Sequence, residues 1–343
     1  MLERAIHQGV EVIRVGLFPG RINTTVVRMP NCTTKMVLSV DVGTLTNAIG
    51  VLGLVLVVKL GTKCMFRTGS TLIDCGPPNQ WSPVKAYLTS VQTSAQGLAP
   101  GGSAVQPVKE LLITHHHEDH SGNAARIKRD FPSISIRAPK TSLKLLTEGF
   151  EVQMYRRLVW GKPPTVDVHG SFDAILADSA SSASVPPPAI RPTIGHDLSI
   201  VPVAAPGHCS DMTVMFDPAR GHLFSGDLFV TSKPLMMRND EDVNDEIASL
   251  RRVLSLDWNT LFCAHRGFVS DGKKLLQQRL DHFLEMRAKA TELNHQGLSH
   301  RAIASKLFGK EEALYYLSRG HFSKKHLVEG LLSAPHHPVP PTE

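Results

Sequence analysis

The sequence predicts an α/β sandwich that ends in a helical region. Segments rich in β-branched residues alternate with helical stretches over roughly the first 270 residues, and from Asp271 onward the pattern is helical. The 343 residues are 42% hydrophobic and 20% charged, which supplies a core and excludes a fibrous or wholly disordered chain.

The elements follow in order. "EVIRVGLF" and "TTVVRM" read as early strands, and "STLIDCGPP" as a strand over Thr71 to Ile73 that runs into a turn set by Gly76, Pro77 and Pro78. "WSPVKAYLTSV" reads as a helix, and residues 93–106, rich in Gly, Ala and Ser, as a surface loop. "VKELLIT" is a short apolar strand, "SGNAARIKRDF" a helix with Ser121 placed to cap it, and "SISIRAP" a further strand. Residues 179–193 form a flexible Ser/Pro-rich loop. Strands resume with "LSIVPVAAPGHC", "MTVMFDP", "GHLFSGDLF" and "TLFCAHRG". Four helical stretches then fill residues 271–333, ahead of a disordered tail at 334–343.

The strand "VKELLIT" delivers "HHHEDH", four imidazoles and two carboxylates in six positions, His115 to His120. A solvated loop has no need of such a cluster, and a buried one does not tolerate it unpaired. His115 and His117 are spaced to converge on one cation, and Asp119 and His120 on a second. Each pair needs further ligands. His208, Asp227 and His265 each stand at the end of a predicted strand, and the two oxygens of Asp227 can bridge ions roughly 3.5–4 Å apart.

His115-x-His117-x-Asp119-His120, followed in order by His208, Asp227 and His265, resembles the ligand set of the metallo-β-lactamase superfamily. "STLIDCG" resembles that family's early strand and turn ending in Asp-x-Gly, so the likeness spans roughly residues 10–270. The resemblance implies a four-layer αββα sandwich with a dinuclear site at one edge of the two sheets. It implies His115, His117 and His208 on a first metal, Asp119, His120 and His265 on a second, and Asp227 as the bridge. Two zinc ions are expected, with iron or manganese as alternatives. Asp74 is expected to orient a histidine rather than bind metal. His116, Glu118 and Cys209 are expected outside the ligand set, and His222, His282, His295, His336 and His337 on the surface. No residue is marked as substrate-binding.

Two metals sharing a water bring its pKa towards neutrality and make a hydroxide nucleophile, with Asp119 as the catalytic residue that orients it or takes its proton. The bridging Asp227 resembles the glyoxalase II type, which implies hydrolysis of a thioester or small ester and an anionic acyl substrate. Two alternatives share the ligand set. One is an endoribonuclease or phosphodiesterase, with Arg301, Lys306, Lys324 and Lys325 on phosphates. The other is a persulfide dioxygenase-like iron enzyme. In the hydrolase reading the C-terminal helices form a lid packed through Ile303, Leu307, Leu314 and Leu317.

The domains expected are a catalytic region, 1–270, carrying an apolar insertion at 34–69, and a helical region, 271–333. The formal net charge of +6 reads as a solvated basic face. Five cysteines without a CxxC pair imply a reducing compartment, the cytoplasm or alternatively the mitochondrion. The N-terminus shows no secretory signal. Val42 to Val58 runs without a charge, and its Thr, Asn and Gly residues favour a buried element over a membrane anchor.

Overall fold

The structure, a computed structural model, describes residues 2–15, 24–26, 37–39, 63–94, 106–175, 194–195 and 199–334. The chain opens with strands β1 (Leu2–His7), β2 (Val10–Val15), β3 (Thr24–Val26), β4 (Val37–Ser39), β5 (Lys63–Thr68) and β6 (Thr71–Ile73), then helix α1 (Trp81–Thr93). Next come β7 (Glu110–Leu112), α2 (Glu118–Ser121), α3 (Ala124–Asp130), β8 (Ser135–Pro139), α4 (Leu143–Glu148), α5 (Met154–Trp160) and β9 (Gly170–Phe172). The second half holds β10 (Val201–Ala204), β11 (Thr213–Asp217), β12 (His222–Phe224), β13 (Met237–Arg238), α6 (Val243–Leu254), β14 (Thr260–Cys263) and β15 (Gly267–Val269). Helices α7 (Gly272–His295), α8 (His300–Phe308) and α9 (Ala313–Leu317), strand β16 (Phe322–Ser323) and helix α10 (Lys324–Leu332) close it.

Seven strands form one sheet in the order β1-β2-β5-β6-β7-β8-β9, and five form another in the order β10-β11-β12-β14-β15. The period-2 alternation of each strand divides its side chains between two layers. Ile13, Met65, Leu72 and Leu111 face outward and pack with Val84, Leu88 and Ile127 of α1 and α3. Their neighbours Val12, Cys64, Phe66, Ile73 and Leu112 face inward and meet Met215, Phe224 and Phe262 of the second sheet. The outer face of the second sheet packs through Val203, Val214, Leu223 and Leu261 against Ile247, Leu250, Leu276 and Phe283 of α6 and α7. The layers therefore run helix, sheet, sheet, helix, as the family resemblance implies.

Both sheets end at one edge, where backbone bonds join them. The Cys64 N–H donates to the Ala264 carbonyl at 2.7 Å, and the Thr213 N–H to the Thr114 carbonyl at 3.1 Å. Strands β6 to β9 are parallel, and β12 and β14 are parallel, so the chain leaves several neighbouring strands at this same edge. Strand β5 is antiparallel to β6, which places its first residue, Lys63, beside the end of β6.

Several expectations need correction. Strand β5 is a central member of the first sheet, so the apolar insertion expected at 34–69 cannot extend through residues 63–68. Ser121 closes the short helix α2 rather than capping α3, and its hydroxyl donates to the carbonyls of His116 and His117. His222 and His282 are buried, the first against the ring of Phe262 and the second bonded to the Pro234 carbonyl at 2.9 Å. The C-terminal helices join the apolar cluster of the second sheet through Ile303, Phe308, Leu327 and Leu331. Leu317, expected to pack there too, is exposed. The apolar run 42–58, the loop 179–193 and His336 and His337 lie outside the described residues. Among the described residues no helix is long and apolar enough to cross a membrane.

Phe262 is fully buried between the sheets, with ring centroids 5.0 Å from Phe224 and 5.7 Å from Phe66. Phe262→Ala should lower unfolding free energy by roughly 3–5 kcal/mol, through lost contacts and a residual cavity. A shift of the urea midpoint at unchanged slope would show it.

Candidate metal centre

The donors come together at the joined edge because each follows a strand there. His115 and His117 follow β7, His208 follows β10, Asp227 follows β12 and His265 follows β14. The turn into His208 depends on Gly207, at φ +134°. A Cβ there would lie 2.6 Å from the Glu246 backbone of α6, which only glycine avoids.

The first group is compact. His115 Nε2 lies 3.0 Å and His208 Nε2 3.1 Å from His117 Nδ1. Three imidazole nitrogens that close, in rings held neutral, direct lone pairs at one another and suit a cation shared by all three. Burial, the largest cause, and neighbouring positive groups hold His115, His117 and His208 below the usual imidazole range. The neutral imidazole so favoured is the form that binds metal.

The second group is Asp119, His120, Asp227 and His265. Asp227 Oδ1 lies 3.1 Å from His120 Nε2, and its Oδ2 lies 3.2 Å from His265 Nε2 and 3.4 Å from His208 Nε2. The carboxylate thus touches both groups. Burial pushes Asp227 and Asp119 upward, but His265 and Lys63 at the first, and Lys63 and His120 at the second, hold both below the carboxylate range. Asp119 Oδ1 is buried without a hydrogen-bond partner.

Around these donors lies a supporting layer. Asp74, at φ +59°, accepts from the Thr114 N–H at 2.9 Å and from His120 Nδ1 at 2.7 Å, which turns His120 Nε2 inward. Glu241 Oε1 does the same for His208, 2.9 Å from its Nδ1, and Arg238 donates to the His208 carbonyl at 2.6 Å. Glu118 faces away from the donors and holds Arg156 through two bonds of 2.7 and 2.8 Å. His116 turns to Asp211, which accepts from its backbone N–H and its Nδ1, both at 2.8 Å. Cys209 lies near His116 and His117, but burial and the Asp211 charge push its thiol well above the ordinary range, against a thiolate ligand.

Sequence reasoning did not find Lys63, Arg156, Arg238 or Glu241. Lys63 Nζ lies in the second group, 2.6 Å from Asp119 Oδ2 and 2.5 Å from His265 Nε2. Its one sequence signal is a charge at the head of the apolar strand "KCMF". Burial lowers its pKa, but Asp119 and Asp227 outweigh that and raise it above the lysine value, so the ammonium is charged.

The Metallo-beta-lactamase superfamily matches residues 65–265, more than half of the chain. The chain belongs to that superfamily. It is similar to a Bacillus subtilis protein named "Probable metallo-hydrolase YybB", 26% identical over 183 residues that cover 52% of this chain and 73% of the other. It is similar over 77 residues, at 36% identity, to a Hydroxyacylglutathione hydrolase from Hamiltonella defensa, covering 21% of this chain and 26% of that protein. Among solved structures it is similar to a metallo-beta-lactamase from Hirschia baltica, with a TM-score of 0.48 and 12% identity over 82% of this chain and 97% of that one.

The superfamily fold binds divalent metal, and the donors of this chain fit such an ion at the first group. Three neutral imidazoles converge there, with the Asp227 carboxylate beside them.

Asp211 gives a test of the supporting layer. Burial pushes its carboxyl upward, but bonds from His116 and Ser142 bring it down to about 2. A pKa depressed by folding stabilises the protein above the unfolded carboxylate value, and that stability is lost as pH falls towards the folded value. Asp211→Asn should therefore cost roughly 2 kcal/mol near neutral pH, with the gap from the parent closing between about pH 4 and about pH 2. Unfolding free energies measured over that range would check it.

Proposed function

We propose that the chain is a metal-dependent hydrolase of thioesters or small esters. The observation that carries the reading is the inward set of His115, His117 and His208 joined through Asp227 to an ionised Asp119. The local similarity to a Hydroxyacylglutathione hydrolase, over 77 residues, supports a thioester as substrate.

A divalent ion on the three histidines would act as a Lewis acid on the acyl carbonyl and make water more acidic. The protein does the rest. His115, Asp119 and His120 are almost fully buried, whereas the side chains of His208 and His265 are 12% and 15% exposed. Substrate therefore approaches from the His208–His265 side. Arg266 is exposed next to His265 and is the group we assign to an anionic substrate. Asp119 Oδ1, which lacks a hydrogen-bond partner, is the atom suited to orient an attacking water and take its proton. Arg156, 4.0 Å from that oxygen and tied to Glu118, keeps the carboxylate in place.

The nuclease alternative loses part of its basic set. Lys324 is buried, and its ammonium donates to the carbonyls of Phe308 and Lys310, both at 2.7 Å. It caps the end of α8 and offers nothing to a phosphate. Lys325 is paired with Glu329 at 2.7 Å.

Chelation should abolish hydrolysis of a thioester panel that includes S-lactoylglutathione, and divalent metal should restore it. Asp119→Asn should lower kcat by about 100-fold or more. A full rate in metal-free protein would defeat the reading. Glu241→Ala should weaken metal affinity by about 10- to 100-fold, because it frees the His208 ring it now orients. Competition with a chromogenic chelator measures this directly.

A further inference from the structure

We propose that the Lys63 ammonium takes the place of the second metal ion, so that the chain holds a single divalent ion on His115, His117 and His208. The inference rests on the metallo-hydrolase reading and sets its metal stoichiometry. It replaces the pair of ions that the family resemblance implies with one ion and one tethered amine.

The geometry is specific. The four donors left for a second ion are Asp119, His120, Asp227 and His265. Lys63 Nζ contacts all four, 2.6 Å from Asp119 Oδ2, 3.2 Å from His120 Nε2, 3.3 Å from both oxygens of Asp227 and 2.5 Å from His265 Nε2. An ion at the centre of that set would sit on the nitrogen, since zinc binds such atoms at about 2.0–2.2 Å. The two cations exclude each other.

The lysine is also held there. Its side chain is 1% exposed, and Nζ lies 5.9 Å from the Trp160 ring. Its backbone pairs with Val15 of β2, and the next residue, Cys64, donates across the sheets to Ala264, the residue before His265. Withdrawal would take from Asp119 and Asp227, two buried carboxylates, the one ammonium that contacts both. The first group has no such competitor. Lys63 is paired with none of its three histidines: their inward nitrogens meet each other and Asp227, with Arg238 3.4 Å from His208 Nε2, while the outer Nδ1 atoms of His115 and His208 meet Thr114 and Glu241.

The test is metal content. The full chain and Lys63→Ala, Lys63→Asn and Lys63→Arg variants are loaded with excess zinc, desalted and analysed by elemental mass spectrometry. The parent and Lys63→Arg should carry about one ion, and Lys63→Ala and Lys63→Asn about two. A parent with two ions overturns the inference and leaves the hydrolase reading standing. A parent with none, after loading, overturns both. In case the Lys63 variants do not fold, two others ask the same question in the parent background. His120→Ala should keep the single ion, and His208→Ala should lose it. Loss of the ion from His120→Ala with retention in His208→Ala would place it in the second group and overturn the inference.

Discussion

Two carboxylates, Asp119 and Asp227, face one another across the joined edge of the sheets, both nearly sealed from water. Neither can remain ionised there without positive charge close by. Much of the surrounding structure answers that constraint. Lys63 reaches both carboxylates, and His120 and His265 flank Asp227. On the far side of Asp119, Arg156 is held in place by Glu118, so a third acidic group is balanced at the same time.

A second demand is aim. An imidazole can present either nitrogen inward, and the outer partner decides which. Asp74 makes that choice for His120 and Glu241 for His208. These partners are themselves fixed. Asp74 accepts from the Thr114 backbone and hydroxyl, and Glu241 is tied to Arg238. The result is a set of donors oriented before any ion arrives, which limits the reorganisation that binding requires.

Much of this was legible in the chain. The alternation in "VEVIRV" and the apolar runs in "TVMFD" and "TLFC" reveal strands because burial follows the period of the backbone. Five of the seven candidate ligands follow strands whose ends meet at one edge, and the family resemblance completes the set with Asp119 and His120 on the short helix α2. Other features left weaker signals. Helix α6 escaped notice, although Asp242 caps it by accepting from the Asp245 N–H. Buried His222 and His282 read as surface residues because histidine has no fixed preference, and only the Phe262 ring and the Pro234 carbonyl account for their burial.

The sequence by itself determined the alternation of strands and helices and the crowding of donors at His115 to His120, since both depend on residues near one another in the chain, while the four layers and the full donor set were what the family resemblance implied. Only the tertiary structure decided what stands among those donors. Lys63 begins a strand rather than ending one, and an antiparallel partner brings that beginning to the edge where parallel strands finish. Its contact with His265 spans 202 positions and lies beside a cross-sheet bond between their neighbours, Cys64 and Ala264. Glu241 and Arg156 likewise reach the site from the loop between β13 and α6 and from helix α5, where no local period marks them. Spacing along a chain reports which groups share a strand end. Which charge fills the space between them depends on register and sheet packing, and these exist only in the folded molecule.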